Sequence, residues 1–354
     1  MGLRTLARRL LPSGMKAKLR TMAEALHRRV LPLFAHSRWS ASLYYGLFSR
    51  TFTREHYGVL QGRREYWRSL NRDQKSYALL RRNTHRLEKG LIMRPRRTSF
   101  AEAYIEETVT MFLRAEQSAV IAQSELQWAH DVLAEYFSVV ADTPVIAQAR
   151  ELWQQRSDAN RLTGDAVPYR RADAPETDIQ PEQLEQLFRR RRSVRWYMPE
   201  QVPEELIRRA LNMAALAPSA CNRQPYEFYF ISEPERAARV AGFAGGTVGF
   251  AQQIPALIVV VGDLSAYPLE RDRHCIYIDG ALAAMQFMLA AETLGLATCP
   301  INWPDIEPRE QAMQRELQLA PYQRPIMLMA VGYADPEGGV AYSAKKDDRV
   351  LMRQ

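Results

Sequence analysis

A chain of 354 residues with 47% hydrophobic and 25% charged residues has an ordinary globular composition, long enough for about two domains. Its 17 Gly and 20 Pro exclude collagen-like and low-complexity chains, and its longest apolar stretch, residues 254–262, is far short of the roughly 20 residues of a spanning helix. The net charge of +8 is uneven: residues 1–97 hold 23 Lys+Arg against 5 Asp+Glu, residues 98–180 hold 6 against 14, and residues 181–354 hold 19 against 21. The basic first quarter predicts a surface attracted to phosphates, anionic lipid or an acidic partner, and says little about fold.

Residues 1–50 read as amphipathic helices broken at Pro12-Ser13-Gly14 and at Pro32. Leu3, Leu6, Leu10 and Leu11 recur at helical spacing between Arg4, Arg8 and Arg9, and no acid precedes Glu24. The pattern fits a helix on an anionic membrane surface, an organellar transit peptide, or a basic helix packed on its own protein. Arginines interrupt every candidate apolar core, which argues against a cleaved secretory signal.

Residues 57–155 stay helical in period. The segment 79–90 predicts a helix ending at a left-handed Gly90, and residues 101–122 and 125–136 predict two more. Residues 157–180 are polar, with Gly164, Pro168, Pro175 and several Asp, and read as a linker. The expected organisation is therefore a helical, basic region over 1–156, a linker over 157–180 and a second domain over 181–354.

In that second domain, residues 181–192 predict a helix with proline in its first turn and arginines in its last. A helix over 202–216 stops at Pro218. Strands are expected over 226–231 and 256–262, the latter apolar throughout and so central in its sheet. A long, mostly apolar helix covers 276–294, and strands cover 298–303 and 326–333. Strands and helices mix without strict alternation, which reads as α+β.

No GxSxG, HExxH or GxxxxGK[ST] motif is present, and the six histidines stand apart. Cys221, Cys275 and Cys299 form no CxxC pair, which argues against a disulfide framework or a metal site and suits a reducing, cytoplasmic compartment. A chain without an obvious nucleophile, metal or acid–base pair borrows its chemistry from a cofactor if it is an enzyme. His85, Glu88 and Lys89 fit either a site or an ordinary helical charge pattern.

Two stretches carry the cofactor reading. In Arg189-Arg190-Arg191-Arg192-Ser193-Val194-Arg195, a helix ends in cations beside a hydroxyl. A phosphate takes this set, guanidinium forks plus a serine, although a solvated basic helix end has the same composition. In Pro218-Ser219-Ala220-Cys221-Asn222-Arg223-Gln224-Pro225, prolines bracket a loop whose amides can read the polar edge of a planar heterocycle. A plain helix-to-strand turn reads the same way.

In this order the two stretches resemble the nitroreductase-like flavoprotein family, with its RRSxR-type segment followed by PSxxNxQP. The resemblance continues through Ile278-Asp279-Gly280-Ala281-Leu282-Ala283-Ala284-Met285-Gln286 and Leu294-Gly295-Leu296-Ala297-Thr298-Cys299-Pro300-Ile301, and closes at Val331-Gly332-Tyr333. It covers roughly residues 183–354. It implies an α+β fold, a nitroreductase-like mixed sheet flanked by helices, preceded here by an all-helical N-terminal domain.

The resemblance further implies FMN bound in a homodimer, each flavin at the subunit interface. Arg191 and Ser193 would hold the phosphate, with Arg192 beside them, and Arg195 would approach the N1/O2 side of the ring. Pro218 and Ser219 would pack on the ring from the other subunit, with Asn222 and Gln224 shaping their loop. Pro300, Ile301 and Asn302 would line the ring face near N5. Lys345 and Lys346 match a C-terminal basic pair that reaches the phosphate, although Asp347 and Asp348 follow at once. Thr247 and Phe250 stand where many relatives place an amide or a Lys, and Asn302 where some carry a glutamate.

The implied activity is ping-pong hydride transfer from NAD(P)H through flavin to an electron-poor small molecule of nitro, quinone or enone type. The flavin carries the bond changes, so no side chain is expected to be catalytic. A specialised flavin enzyme acting on one metabolite is an alternative, although residues 263–275 leave little room for a lid. A membrane-surface or assembly protein using the flavin domain as a dimer scaffold is another, motivated by the basic balance of residues 1–97 and the amphipathic start, with residues 1–50 as its contact with an anionic membrane. Nucleic acid ranks below lipid as a partner. No recognised binding fold is visible, and Trp39, Tyr44, Tyr45, Phe48, Phe52 and Tyr57 read as helix-packing residues.

Overall fold

A computed structural model describes residues 13–155 and 164–353. The leucine and arginine pattern expected of residues 1–12 lies outside the described residues. The chain forms two compact units, Met1–Tyr57 and Gly58–Gln354.

The first unit holds α1 (Ser13–Phe34) and α2 (Arg38–Leu43), followed by a π-helical turn over Tyr44–Phe48. The break expected at Pro32 does not occur. Its missing N–H falls in the last turn of α1, where it forfeits one backbone bond two residues before the helix ends. Ser37 caps α2 reciprocally with Ser40, Ser37 Oγ accepting from the Ser40 N–H at 3.1 Å. Phe34, Tyr44, Tyr45, Phe48 and Phe52 touch ring to ring, with centroids 4.6–6.4 Å apart.

The helix α3 (Thr53–Ser69) leads into the second unit. There α4 (Ala78–Leu91), α5 (Ile105–Glu116), α6 (Gln123–Val139) and α7 (Pro144–Gln154) enclose Leu80, Leu87, Ile105, Phe112, Leu133 and Ile146, all fully buried. Leu80, Leu87 and Leu91 recur along one face of α4, the stripe that makes the segment helical. Gly90 does not end that helix. It lies inside α4, and the chain leaves through Ile92 at φ −90°. A Cβ on Gly90 would stand 2.2 Å from the Phe100 ring, so the glycine serves close packing rather than a left-handed cap. The helix expected over 101–122 is shorter because Ala101, at φ 69°, and Tyr104 delay its start.

The two units divide at residues 57/58. Side chains from α3 and α4 reach deep into residues 181–354. Arg63 donates to the Pro268 carbonyl at 3.0 Å and pairs with Glu270, and Arg81 reaches residues 222 and 224. Residues 164–180 themselves carry only a 3-10 turn at Arg171–Asp173.

The remaining elements are α8 (Pro181–Arg190), α9 (Glu204–Ala214), β1 (Tyr226–Ile231), α10 (Pro234–Ala244), β2 (Ala256–Asp263), α11 (Cys275–Thr293), β3 (Ala297–Asn302), α12 (Glu307–Leu317), β4 (Gln323–Gly332) and α13 (Asp348–Leu351). The strands lie in the order β1-β2-β4-β3, each neighbouring pair antiparallel. β2 is central and buried on both faces, as its apolar run requires. The mixed character of the sheet is confined to one parallel bridge, Ser193 to Thr298. An α+β domain with helices on both faces of its sheet results.

By length and hydropathy the segment Glu270–Thr293, containing α11, is the one described helix able to cross a membrane. Half of it is buried, with Phe287 and Ala291 packed under the sheet; burying a phenylalanine side chain stabilises a fold by about 1.5–3 kcal/mol. Its opposite face exposes Ile278, Leu282 and Met285.

Candidate functional site

The site is assembled where α8 gives way to extended chain. Arg191 leaves the helix at φ −62°, ψ 111°, and the next residues run beside β3. The Val194 N–H donates to the Thr298 carbonyl at 3.1 Å, and Ser193 bridges the same threonine. Arg191 Nε and Thr298 Oγ1 are both buried without a hydrogen-bond partner among the described residues. A guanidinium nitrogen removed from water and given nothing to bond is costly, unless an anion arrives.

Arg195 comes next. Its Nη1 donates to the Ser193 carbonyl at 3.3 Å, and its guanidinium carbon lies 5.9 Å from the Phe250 ring centroid. It lines a cleft of about 380 Å³ together with Phe250, Cys299, Pro300, Ile301 and Asn302. Burial pushes the Cys299 thiol above its ordinary pKa, against the opposing fields of Arg195 and Arg191. That thiol stays protonated at neutral pH and is no nucleophile. Both cations therefore act on the wall of one cleft.

Arg309, from α12, lines the same cleft. α10 ends at Gly245, left-handed at φ +75°, and Arg309 Nη1 donates to the freed Ala244 carbonyl at 2.7 Å. A Cβ at Gly245 would meet the Arg309 guanidinium at 2.2 Å. The cleft thus offers two guanidiniums, an aromatic wall and an apolar floor at the end of β3. This donor set suits a flat, anionic ligand, and its side chains bind rather than react.

Of the residues singled out in the sequence, Arg195, Pro300, Ile301 and Asn302 meet in this cleft, and Arg191, which does not line it, acts on its Cys299 through its charge. Arg192 points elsewhere: its Nη2 donates to the Ala341 carbonyl at 2.7 Å and to that of Tyr342, tying down the C-terminal segment. Lys345 and Lys346 follow in that segment, both exposed. Arg309 and Gly245 were missed. A proline at the first turn of α10 and a glycine after its last residue could have revealed that helix, whereas nothing in its local sequence distinguishes Arg309 from the chain's other arginines.

Pro218, Ser219, Asn222 and Gln224 do not line the cleft of their own chain. They form a separate, internally bonded loop. Ser219 Oγ donates to Asp279 Oδ2 at 2.7 Å, and the Ala220 N–H donates to the same oxygen at 2.9 Å. The Gln224 N–H donates to Ser219 Oγ at 2.8 Å, and Gln224 Nε2 to the Ala215 carbonyl at 2.8 Å. Cys221, Asn222 and Gln224 all have left-handed backbones, at φ 54°, 50° and 49°. Each such non-glycine residue costs roughly 1–3 kcal/mol, and such strain persists only where its surroundings hold it. Asp279, buried on α11, is the missed residue that does much of this holding.

In the helical layer, His85 Nδ1 lies 3.1 Å from Glu88 Oε2, and Glu88 Oε1 accepts from Trp128 Nε1 at 2.9 Å. This is a tie between α4 and α6.

The model of the Nitroreductase family matches residues 188–248 and 238–333. A protein of Archaeoglobus fulgidus, provisionally named as an NADH dehydrogenase/NAD(P)H nitroreductase, is 32% identical over 156 residues, covering 42% of this chain and 83% of its own. A Bacillus subtilis protein provisionally named as an NAD(P)H nitroreductase is 27% identical over 195 residues, covering 44% of this chain and 91% of its own. Among solved structures, an FMN-dependent nitroreductase of Clostridium difficile is 23% identical with a TM-score of 0.39, over 44% of this chain and 91% of that one. All these similarities cover less than half of this chain.

Proposed function

The chain belongs to the nitroreductase family of oxidoreductases, and from that premise we propose that it uses FMN to pass hydride from NAD(P)H to an electron-poor nitro, quinone or enone acceptor by a ping-pong sequence. The observation that carries this reading is the buried Arg191 Nε, unpartnered among the described residues, whose charge acts with that of Arg195 on Cys299 in a cleft also lined by residues 300–302. Arg191 and Ser193 would bind the phosphate. Arg195 would stand at the ring edge, where a cation favours negative charge in the reduced ring. Pro300, Ile301 and Asn302 would present backbone and apolar surface to the ring face. Bound FMN would supply the two-electron hydride chemistry that no side chain here provides.

A homodimer completes this site. The loop 218–225 is rigidly built yet stands outside its own chain's cleft, which fits delivery to a partner's flavin. Leu184 and Phe188 on α8, with Ile278, Leu282 and Met285 on α11, form exposed apolar stripes of the kind a second copy would cover. The purified full chain should be yellow and dimeric, and should bleach anaerobically on addition of NADH or NADPH. A colourless monomer that refuses added FMN overturns the reading.

A second contact is supported by the first unit. Trp39 is 88% exposed, Leu43, Leu47 and Phe48 are exposed with it, and residues 1–57 hold 11 Lys+Arg against 2 Asp+Glu. Apolar and aromatic side chains among cations are what an anionic bilayer surface binds. The chain should float with phosphatidylserine-containing vesicles at low salt and not with neutral ones. Equal behaviour with both removes this contact.

A further inference from the structure

We propose that Arg81, on α4, is a positioning residue that clamps the loop 218–225, so that the helical layer preceding the nitroreductase domain braces the surface offered to the flavin. The proposal rests on the reading of that loop as ring-facing.

All three guanidinium nitrogens of Arg81 are engaged. Nε donates to the Asn222 carbonyl at 2.8 Å, Nη2 to Gln224 Oε1 at 3.1 Å and Nη1 to Glu125 Oε2 at 2.9 Å. The side chains of Arg81 and Glu125 are 13% and 3% exposed. Glu125 is itself fixed, accepting from Ser76 Oγ at 2.6 Å and from the Tyr77 N–H at 2.8 Å, and the Arg81 guanidinium stands 5.4 Å from the Trp128 ring. The fork is therefore aimed by α6 before it meets the loop.

Its two loop contacts fall on residues of left-handed backbone, Asn222 and Gln224. Between them Arg223 is buried, with its guanidinium 4.8 Å from the Tyr267 ring. Three consecutive loop residues are thus keyed into the body of the chain, two of them by one side chain from the helical layer. The side-chain amide of Asn222 makes no hydrogen bond among the described residues, so it stays available to a ligand. A lysine at position 81 would keep the pair with Glu125 yet lacks the planar fork needed to reach both loop acceptors.

The test uses the full chain with Arg81→Lys, which preserves the buried charge pair, and with Arg81→Ala. Hydrogen exchange on FMN-free protein reads the loop, and flavin titration with visible circular dichroism reads the site. In Arg81→Lys, amides of residues 219–224 should exchange at least 10-fold faster while α6 keeps its protection. FMN should then bind about 10-fold more weakly, with an altered flavin dichroism that a merely stabilising ion pair would not change. Wild-type exchange across 219–224 in folded Arg81→Lys overturns the clamp. Faster exchange with unchanged FMN binding and dichroism overturns the loop's place at the flavin. A wild-type chain that takes up no FMN overturns the flavin reading, while exchange still decides the clamp.

Discussion

The cation-rich stretch 191–195 and the amide-bearing loop 218–225 are built in opposite ways. In the first, cations are left wanting: Arg191 Nε is buried without a partner, and Arg195 makes one long bond to a carbonyl. In the second, a strained backbone is held by partners from α4, α11 and the residue that follows α9, with Arg223 Nε the one buried group there left without a partner among the described residues. Unsatisfied polarity marks where a ligand is to be taken up. Satisfied strain marks a surface prepared in advance, with its cost already met by the fold.

The largest expected effect comes from breaking the prepared surface. Asp279→Ala removes the oxygen that accepts from both Ser219 Oγ and the Ala220 N–H at a site only 3% exposed. Hydrogen bonds to a charged group contribute about 1.5–3 kcal/mol each, so urea unfolding should lose roughly 3–6 kcal/mol. A loss below about 1 kcal/mol would show that the loop holds itself without α11.

Arg191→Ala tests the opposite pole. Removing a charge-assisted phosphate contact should weaken FMN binding by about 1.5–3 kcal/mol, roughly 10- to 150-fold, in a fluorescence titration. The unfolding midpoint without FMN should hold or rise, because the deleted Nε had no partner to lose. If stability falls and flavin affinity does not, the arginine run is a structural helix end and the contrast between the two stretches fails.

How much of this was legible in the sequence follows from where each interaction lives. The central strand was readable because a buried strand is a continuous apolar run, whereas 226–231 is mostly half-buried, exposes Glu227 and is marked by its aromatic residues. The motif residues of the cleft were readable through resemblance. Gly90 and Pro32 misled, because a local rule for helix ends cannot report that Phe100 crowds one position or that a helix is about to stop anyway. α10 and α12 went unread, and Arg309 with them. The clamp was out of reach: Arg81 and Gln224 stand 143 residues apart, and each looks ordinary in its own neighbourhood.

Asp263 sharpens the comparison by pH. Its backbone N–H donates to the Pro225 carbonyl at the end of the loop, and burial raises its carboxyl pKa to about 6 despite two hydrogen bonds from Ser265, with Glu227 and Glu65 adding in the same sense. A folded pKa above the unfolded value of 3.8 means this contribution is fully present below about pH 4 and is lost as pH rises through about 6. Asp263→Asn should therefore gain roughly 1–2 kcal/mol over wild type at pH 7, the shift being partly screened where the side chain meets solvent. The gain should vanish near pH 4. An advantage that is flat across this range would place the effect in packing rather than in charge.

The smallest effect separates the helix from its clamp. Gly90 lies on α4 nine positions after Arg81, and alanine there gains up to about 1 kcal/mol of helix propensity. Against that stands the Phe100 ring at 2.2 Å from the new Cβ; Phe100 packs edge-on to Tyr136 at 5.0 Å, and its carbonyl accepts from the Tyr136 hydroxyl at 2.7 Å, so it has little freedom to yield. Overpacking of this kind costs about 1–3 kcal/mol, so Gly90→Ala should lose a net ~1 kcal/mol in urea unfolding. Exchange at 219–224 and FMN affinity should stay at wild-type values, because Arg81 lies more than two turns away on the same helix. If Gly90→Ala loosens the loop as well, α4 moves as a rigid lever and the clamp is a property of the whole helix rather than of one guanidinium.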